Sequence, residues 1–397
     1  MDPILNPYVP GAGTKPPVIA GRDDLVDKAG ITISRSKKGL FGKSFIAIGL
    51  RGVGKTVVLN SIQQIAEDKG CPTIYVEAHD DSSLVKLITP QLRSALIKLS
   101  KSEAAKELAE HGLRVLKNFA SAVNLKIGEV EVGLDFGEAA GTADSGDISN
   151  DLPELFQAVG LAAKAKKTPL VLLIDEMQYF NGTELGALVM AIHRMNQRGL
   201  PIILFGAGLP QLIGKMGESK SYAERLFDFP KLDALSYVDA KIAVTQPAKN
   251  EGVDFTDEAV SEIFSVTKGY PYFLQEWGYV AWNLAENSKI SELDVKKASP
   301  EAERRLDESF FRMRLERMTP TERKYIVAMA YLGEGPHLSG DIAKAYGAKV
   351  STVAPLRSSL IAKGMIYSPS YGSTDFTVPL FDQFIRREFP NREYASD

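Results

Sequence analysis

Residues 44–68 restrict this chain more than any other segment. An apolar run at 44–48 leads into Gly49-Leu50-Arg51-Gly52-Val53-Gly54-Lys55-Thr56, and from Lys55 to Asp68 apolar residues recur at helical spacing. The order is strand, glycine-rich turn, helix, and the turn fits G-x-x-x-x-G-K-[ST]. Glycines at these positions let backbone N–H groups converge on one point at the start of a helix, where the helix dipole favours an anion. A phosphate chain is the anion this pattern suits. Lys55 then supplies a point charge to the outer phosphates, and Thr56 offers a hydroxyl to Mg²⁺. The plainer reading is a glycine-rich turn that only caps a helix.

The rest of the first 250 residues alternates in the same way. Apolar runs at 73–76, 169–174 and 201–205 read as strands, helical patterns occupy 83–99 and 184–198, and a fifth strand is expected near 232–235. Strands apolar on both faces and separated by helices predict an α/β fold with a doubly wound parallel sheet. The third run ends in Asp175-Glu176, and the carboxyl ends of such strands are where open α/β sheets bind ligands. Asp175 is placed to hold Mg²⁺ and Glu176 to polarise an attacking water, although any strand can exit into a charged turn.

An insertion at about 103–150 separates the second and third strands. Its first part, 104–123, is helical in pattern. Leu125, Ile127, Val130, Val132, Leu134 and Phe136 then alternate around Gly128-Glu129 as in a β-hairpin, and 137–147 is Gly, Ala and Asp rich, predicting a mobile loop. The insertion reads as surface decoration or as a partner-binding element. Residues 1–17, rich in Pro and Gly, are expected to run extended over a surface. After about residue 250 strands are expected to stop, with helices at 257–266 and 272–286. The predicted domains are 1–250, a helical lid at 251–318, and 319–397.

Composition excludes several classes. A net charge of −3 gives no global attraction to nucleic acid or to an anionic membrane. The single cysteine, Cys71, cannot pair within the chain, and four His leave few zinc ligands. No apolar run approaches the roughly 18–20 residues that span a bilayer, and residues 1–13 lack a signal-peptide pattern, so a cytoplasmic protein is expected.

The GLRGVGKT and LVLLIDE segments, with a helical region after them, resemble AAA+ ATPases and the related STAND ATPases, near the origin-recognition branch. The resemblance implies a Mg²⁺-dependent ATPase that binds ATP and ADP and can form homo-oligomers. It puts Gly49, Arg51, Gly52, Val53, Gly54, Lys55, Thr56 and Val57 on the nucleotide, with Lys55 and Glu176 in catalysis. Residues 17–25, with Ile19 and Arg22, resemble the segment that packs near adenine in that superfamily; they also read as a helix N-terminus capped near Asp23. Two departures matter. The fourth strand ends in Phe205-Gly206-Ala207-Gly208, without the polar residue AAA+ proteins usually place there. Lys268-Gly269-Tyr270-Pro271 stands where an arginine sensor is common and resembles the Gly-x-Pro motif of STAND switches, which puts Tyr270 and Pro271 near the nucleotide. Arg225, in Tyr222-Ala223-Glu224-Arg225-Leu226-Phe227, resembles an arginine finger facing a neighbouring subunit; alternatively it pairs with Glu224 or Asp228.

Thr319-Pro320-Thr321-Glu322 has the form of a capped helix start. Further helices are expected from Ser339 to near Gly347 and at 350–363, followed by strands around Tyr371-Gly372-Ser373. This resembles a winged helix-turn-helix domain. Lys349, Thr352, Arg357 and Lys363 are the candidate contacts to double-stranded DNA, with Arg386 and Arg387 on a closing helix. From Thr319 to Asp397 there are nine Lys and Arg against eight Asp and Glu, too even to be an electrostatic footprint. Two functions follow: an ATPase that assembles on DNA, or a STAND-like nucleotide switch whose C-terminal domain binds protein or docks within the chain.

Overall fold

The computed structural model describes residues 1–11, 13–80, 82–123 and 141–391. Two compact units emerge: one comprises Arg22–Gly49 and Lys55–Leu232, the other Met1–Gly21, Leu50–Gly54 and Asp233–Asp397.

The first unit is built on five parallel strands in the order β2-β3-β4-β1-β5, namely β1 (Phe45–Gly49), β2 (Thr73–Glu77), β3 (Leu170–Asp175), β4 (Ile202–Gly208) and β5 (Lys231–Leu232). Its helices are α1 (Asp23–Lys37), α2 (Lys55–Asp68), α3 (Leu84–Ser100), α4 (Lys106–Ala122), α5 (Ile148–Ala165), α6 (Gly182–Gln197), α7 (Gln211–Ser219) and α8 (Ala223–Leu226). Every residue of β1, β3 and β4 is buried. That is why these strands read as unbroken apolar runs: with helices on both sides, neither face can be polar. The expected doubly wound α/β core is therefore present. Register pairs Phe45 with Phe205 and Leu173 with Phe205, so β4 lies between β1 and β3. The glycine-rich turn after β1 and the acidic pair after β3 thus leave the same sheet edge.

Local chemistry sets the helix ends. Asn181 caps α6, its side chain accepting from Glu184 N, and the Glu184 carboxylate accepts both Asn181 N and, at 2.8 Å, Leu84 N at the start of α3. One buried carboxylate so satisfies orphan donors of two helices. The helix α5 was not anticipated. The described part of the predicted mobile loop, 141–147, is instead held to α5: the Asp151 carboxylate accepts from Ser145 N, Ser145 Oγ and Gly146 N, and Glu154 accepts from Ala143 N. The hairpin expected around Gly128-Glu129 lies outside the described residues.

The second unit holds α9 (Tyr237–Asn250), α10 (Asp257–Thr267), α11 (Pro271–Leu284), α12 (Glu292–Arg305) and, after a π-helical turn at Leu306–Phe311, α13 (Arg312–Glu316). Strands do not stop at residue 250: β6 (Asp254–Phe255) and β7 (Lys289–Ile290) form a short parallel pair. Two-residue strands leave no periodicity to read. The N-terminal residues carry an anchor the sequence did not show. Tyr8 is 1% exposed, its hydroxyl donates to the Val244 carbonyl, and its ring lies where a Cβ on Gly278 would stand, 2.6 Å away. An aromatic anchor fitted against a glycine of α11 pins a segment whose other described residues are exposed or half-buried, so it runs over the surface as expected but is fixed at one point.

The chain continues through α14 (Pro320–Ala330), β8 (His337–Leu338), α15 (Ser339–Tyr346), α16 (Val350–Ala362), β9 (Ile366–Tyr367), β10 (Ser373–Phe376) and α17 (Phe381–Glu388), with an antiparallel sheet in the order β8-β10-β9. Thr319, Pro320 and Glu322 form the capping box expected of them. Among the described residues, no helix is long and apolar enough to cross a membrane.

Candidate functional site

Within the first unit, α2 carries Lys55 and Thr56 toward the end of β3. Lys55 is buried and its Nζ donates to the Gly49 carbonyl at 3.1 Å. Thr56 Oγ1 donates to Asp175 Oδ2 at 2.6 Å. Asp175 is 1% exposed, and Tyr75 Oη, from β2, reaches the same oxygen at 3.5 Å. Burial raises the Asp175 pKa, and the nearby Glu176 adds to this, while Thr56 and Lys55 oppose it. Glu77 is also raised, by burial and then by Asp175 and Glu176. Carboxylates so placed favour a cation.

The donor set fits Mg²⁺. A hydroxyl and a carboxylate oxygen in contact are hard oxygen ligands, and Mg²⁺ characteristically takes one or two protein ligands with phosphates and water completing its shell. Among the described residues there is no group of three or more His, Cys, Asp or Glu that could hold a metal by itself. A Mg²⁺ ion held by Thr56 and Asp175 would need its remaining ligands from outside the chain.

Glu176 is in the left-handed region, φ 52° and ψ 38°, uncommon for a residue with a Cβ. This bend turns the chain sharply off β3 and sets the Glu176 amide on Asp175 Oδ1 at 2.8 Å. Gln178 is the partner that sequence left in the background. Its Nε2 donates to Glu176 Oε2, its Oε1 accepts from Leu209 N at 3.0 Å, and its main-chain carbonyl accepts from Lys215 Nζ at 2.8 Å. A buried amide thus ties Glu176 to the end of β4, the position where sequence showed only Phe205-Gly206-Ala207-Gly208. No local pattern reveals it, since Gln178 and Leu209 are far apart in the chain.

Residues Leu50–Gly54 group with the second unit. Gly52 and Gly54 have φ of 82° and 92°, and a Cβ on Gly52 would come within 2.9 Å of the Tyr270 ring. The glycine is needed for both backbone and space. Tyr270 is buried and caps α11, of which Pro271 is the first residue. Val53 is buried, Val57 and Ile19 are half-buried, and Arg22 stands at the N-cap of α1 without a side-chain capping bond. Asp23 is a first-turn acid of that helix rather than its cap.

Arg225, on the short helix α8, is exposed and beside His193, Tyr222 and Phe41. The pairing with Asp228 is corrected: that carboxylate is held by Lys28 at 2.7 Å and Lys43 at 2.6 Å.

The C-terminal candidates divide. Lys349 and Thr352 are exposed at the start of α16. Arg357 is not a free surface cation: its Nε donates to Thr374 Oγ1 at 2.8 Å and its Nη2 to Ser368 Oγ and the Ser373 carbonyl, both at 3.0 Å, fastening α16 to β10. Lys363 donates to Glu322 Oε2 at 2.7 Å and to the Arg317 carbonyl at 3.1 Å. Arg386 bonds the Ala330 carbonyl and Asp382, and Arg387 forks onto Asp307. In the folded chain each of these four side chains holds a partner in its own unit.

The Glu322 clasp has a pH signature. Burial alone would raise its pKa, but Lys363, Ser359 and Thr319 outweigh it and hold the group down to about 2, below its ordinary 4.5. A folded-state pKa below the unfolded one stabilises above about 4.5 and loses that stabilisation as pH falls toward about 2. Lys363→Met is expected to lower stability at pH 7 by about 2 kcal/mol, because it strands a buried carboxylate while the lost ammonium was partly solvated. Calorimetric unfolding from pH 7 to pH 2 checks this: the wild type should lose its advantage over the mutant across the acid window.

Comparison with known proteins follows this geometry. Residues 19–205 match the family described as AAA ATPase domain, and residues 308–385 match one described as a domain of unknown function (DUF8462). A comparison with curated proteins finds no match. Among solved structures, a Walker-type ATPase of Pyrococcus abyssi is similar, with a TM-score of 0.56 and 13% identity over 93% of this chain and 96% of that one. The ORC1 protein of Aeropyrum pernix, solved in complex with DNA, aligns over 98% of this chain and 97% of that one at 15% identity and a TM-score of 0.49. The core of this chain is a P-loop NTPase fold, and within the chain residues 19–205 match the AAA ATPase domain family.

Proposed function

We propose that this chain is a Mg²⁺-dependent ATPase that converts ATP to ADP and phosphate. The observation that carries the reading is the 2.6 Å contact between Thr56 of the phosphate loop and Asp175 at the end of β3, with Glu176 one residue further. Thr56 and Asp175 would hold Mg²⁺, which neutralises charge on the phosphates when bound. Lys55 offers its ammonium to the outer phosphates, and the loop amides of residues 49–56 cradle them. Glu176 orients the attacking water. In the described state its carboxylate is engaged by Gln178, so hydrolysis requires that amide to turn or to share the water. Ile19, Arg22, Val57, Tyr270 and Pro271 remain the proposed lining of the nucleotide's other parts.

The C-terminal region is proposed to be a winged-helix domain, and a specific observation favours the second, switch-like reading of it. Arg357, Lys363, Arg386 and Arg387 are all engaged internally, which leaves Lys349 and Thr352 as the proposed DNA contacts. Few phosphate contacts mean weak, salt-sensitive DNA binding. Tyr270 against Gly52 also favours a STAND-like switch, since a ring on the phosphate loop couples loop conformation to the helices that follow. Arg225, exposed and outside any ion pair among the described residues, stays available for a neighbouring subunit's nucleotide.

One experiment tests the reading. Steady-state phosphate release is measured with Mg²⁺ and with chelator, over a range of protein concentrations, with and without duplex DNA. Mg²⁺-dependent turnover is expected. A rate raised by duplex and by protein concentration supports DNA-bound assembly with Arg225 acting between subunits. Turnover that is slow and indifferent to both supports the switch. Absence of both nucleotide binding and hydrolysis overturns the whole assignment.

A further inference from the structure

Two hollows lie side by side on the first unit, about 450 and 500 Å³ in volume, and both are lined by His193, Gln197 and Tyr222. They form one groove along the last turns of α6. Arg194 and Arg198 line the first hollow, while Phe41, Asn196 and Arg225 line the second. Each is large enough for a ligand the size of a nucleotide.

The charges of this groove are unanswered. Among the described residues, Arg194 and Arg198 have no ion pair, whereas Arg304, Arg305, Arg312, Arg386 and Arg387 each close on a carboxylate. The carboxylate that lines the groove, Glu154, accepts from Ala143 N, and Asp228 nearby in sequence is held by Lys28 and Lys43. Glu224 lines neither hollow. Cations at a helix C-terminus answer the helix dipole, but the rings and amides set among them do not.

His193 and Gln197 stand one turn apart on α6, and so do Arg194 and Arg198, about 6 Å along the axis, so the four share a face. The His193 ring lies 4.7 Å from that of Tyr222, with their planes 38° apart. Phe41, in the segment between α1 and β1, is 58% exposed at the second hollow. Guanidiniums suit phosphate oxygens, and exposed rings beside them suit the faces of bases. Rings set in a hollow can stack only on bases that are not paired. An acidic protein surface would use the cations and leave the rings without a purpose.

We propose that this groove on the first unit binds single-stranded nucleic acid, with Arg194 and Arg198 on successive phosphates and Phe41 and Tyr222 against bases. It is separate from the duplex contacts proposed for Lys349 and Thr352, and it does not rest on the ATPase reading. Arg225, at the rim, keeps the role already proposed for it; the groove is tested through Arg194, Arg198 and Phe41.

The test uses the full chain without added nucleotide. Fluorescein-labelled single strands of mixed sequence, roughly 12 nucleotides long, are titrated as DNA and as RNA over a range of salt, with anisotropy as the readout. Wild type is expected to bind, with log affinity falling as log salt rises. Arg194→Gln with Arg198→Gln should bind at least tenfold more weakly at low salt, and its salt slope should be shallower by about 1.4, at about 0.7 for each single-strand phosphate contact. Arg194→Lys with Arg198→Lys should keep the slope and recover part of the affinity, since it keeps charge and loses the planar fork. Phe41→Ala should lose about fivefold or more with the slope unchanged, the effect of one stacked base. A preference for DNA or for RNA names the strand and supports the proposal in either case. Absence of binding at low salt to both strands overturns it. So does loss of binding in Lys349→Glu with the groove variants unaffected, which would put the strand on the C-terminal region. Equal competition by poly-glutamate, with Phe41→Ala binding as wild type, would make the groove a general anion surface and also overturns it. Should the Gln double variant fail to fold, the Lys double variant and Phe41→Ala carry the decision by the same criteria.

Discussion

Lys55→Ala is expected to abolish the stabilisation of this protein by Mg-ATP while leaving the apo fold intact. A ligand a hundredfold above its Kd stabilises the wild type by about 2.7 kcal/mol, and the variant should show no shift. The fold should survive because Lys55 sits in the first turn of α2, where Ala is a better helix former, and the substitution removes a buried ammonium whose Nζ reaches the Gly49 carbonyl. Thermal melts with and without Mg-ATP decide it. A variant that keeps the full shift would place the phosphates elsewhere.

Glu176→Gln should retain nucleotide affinity and hydrolyse ATP 10²- to 10⁴-fold more slowly, the usual magnitude for loss of a positioned base. Asp175, Thr56 and Lys55 are untouched, so binding stays. Gln at 176 also keeps an amide oxygen able to accept from Gln178, so the turn after β3 should hold its shape. Single-turnover phosphate release, measured beside affinity, separates the two effects. Unchanged turnover would shift the water-orienting role to Gln178, whose amide already bridges Glu176 and the end of β4.

Much of the core was legible because its determinants are local and periodic. Strands buried on both faces read as apolar runs, as in the first five residues of β3, and α2 follows the glycine turn with the limits its spacing predicted, Lys55–Asp68. The C-terminal helix start was equally plain, since a capping box is written within four residues. The helix α5 and the pair β6–β7 were not legible. The first follows a Gly- and Asp-rich stretch that reads as loop until Asp151 is seen gathering its amides, and the second is too short to show a period.

The same contrast separates the candidate residues. That residues 49–56 form a phosphate loop, and that Asp175 and Glu176 end an apolar strand, are properties of contiguous residues, so sequence alone determined them. Whether a charged side chain faces solvent is not such a property. Arg357, Lys363, Arg386 and Arg387 look as available in the sequence as Lys349, yet each finds an oxygen on a neighbouring element, from 16 residues away at Ser373 to 80 at Asp307. Only the tertiary structure could decide these cases, because a charge is set by its residue type, whereas its partner and its burial are set by elements the chain brings together on folding.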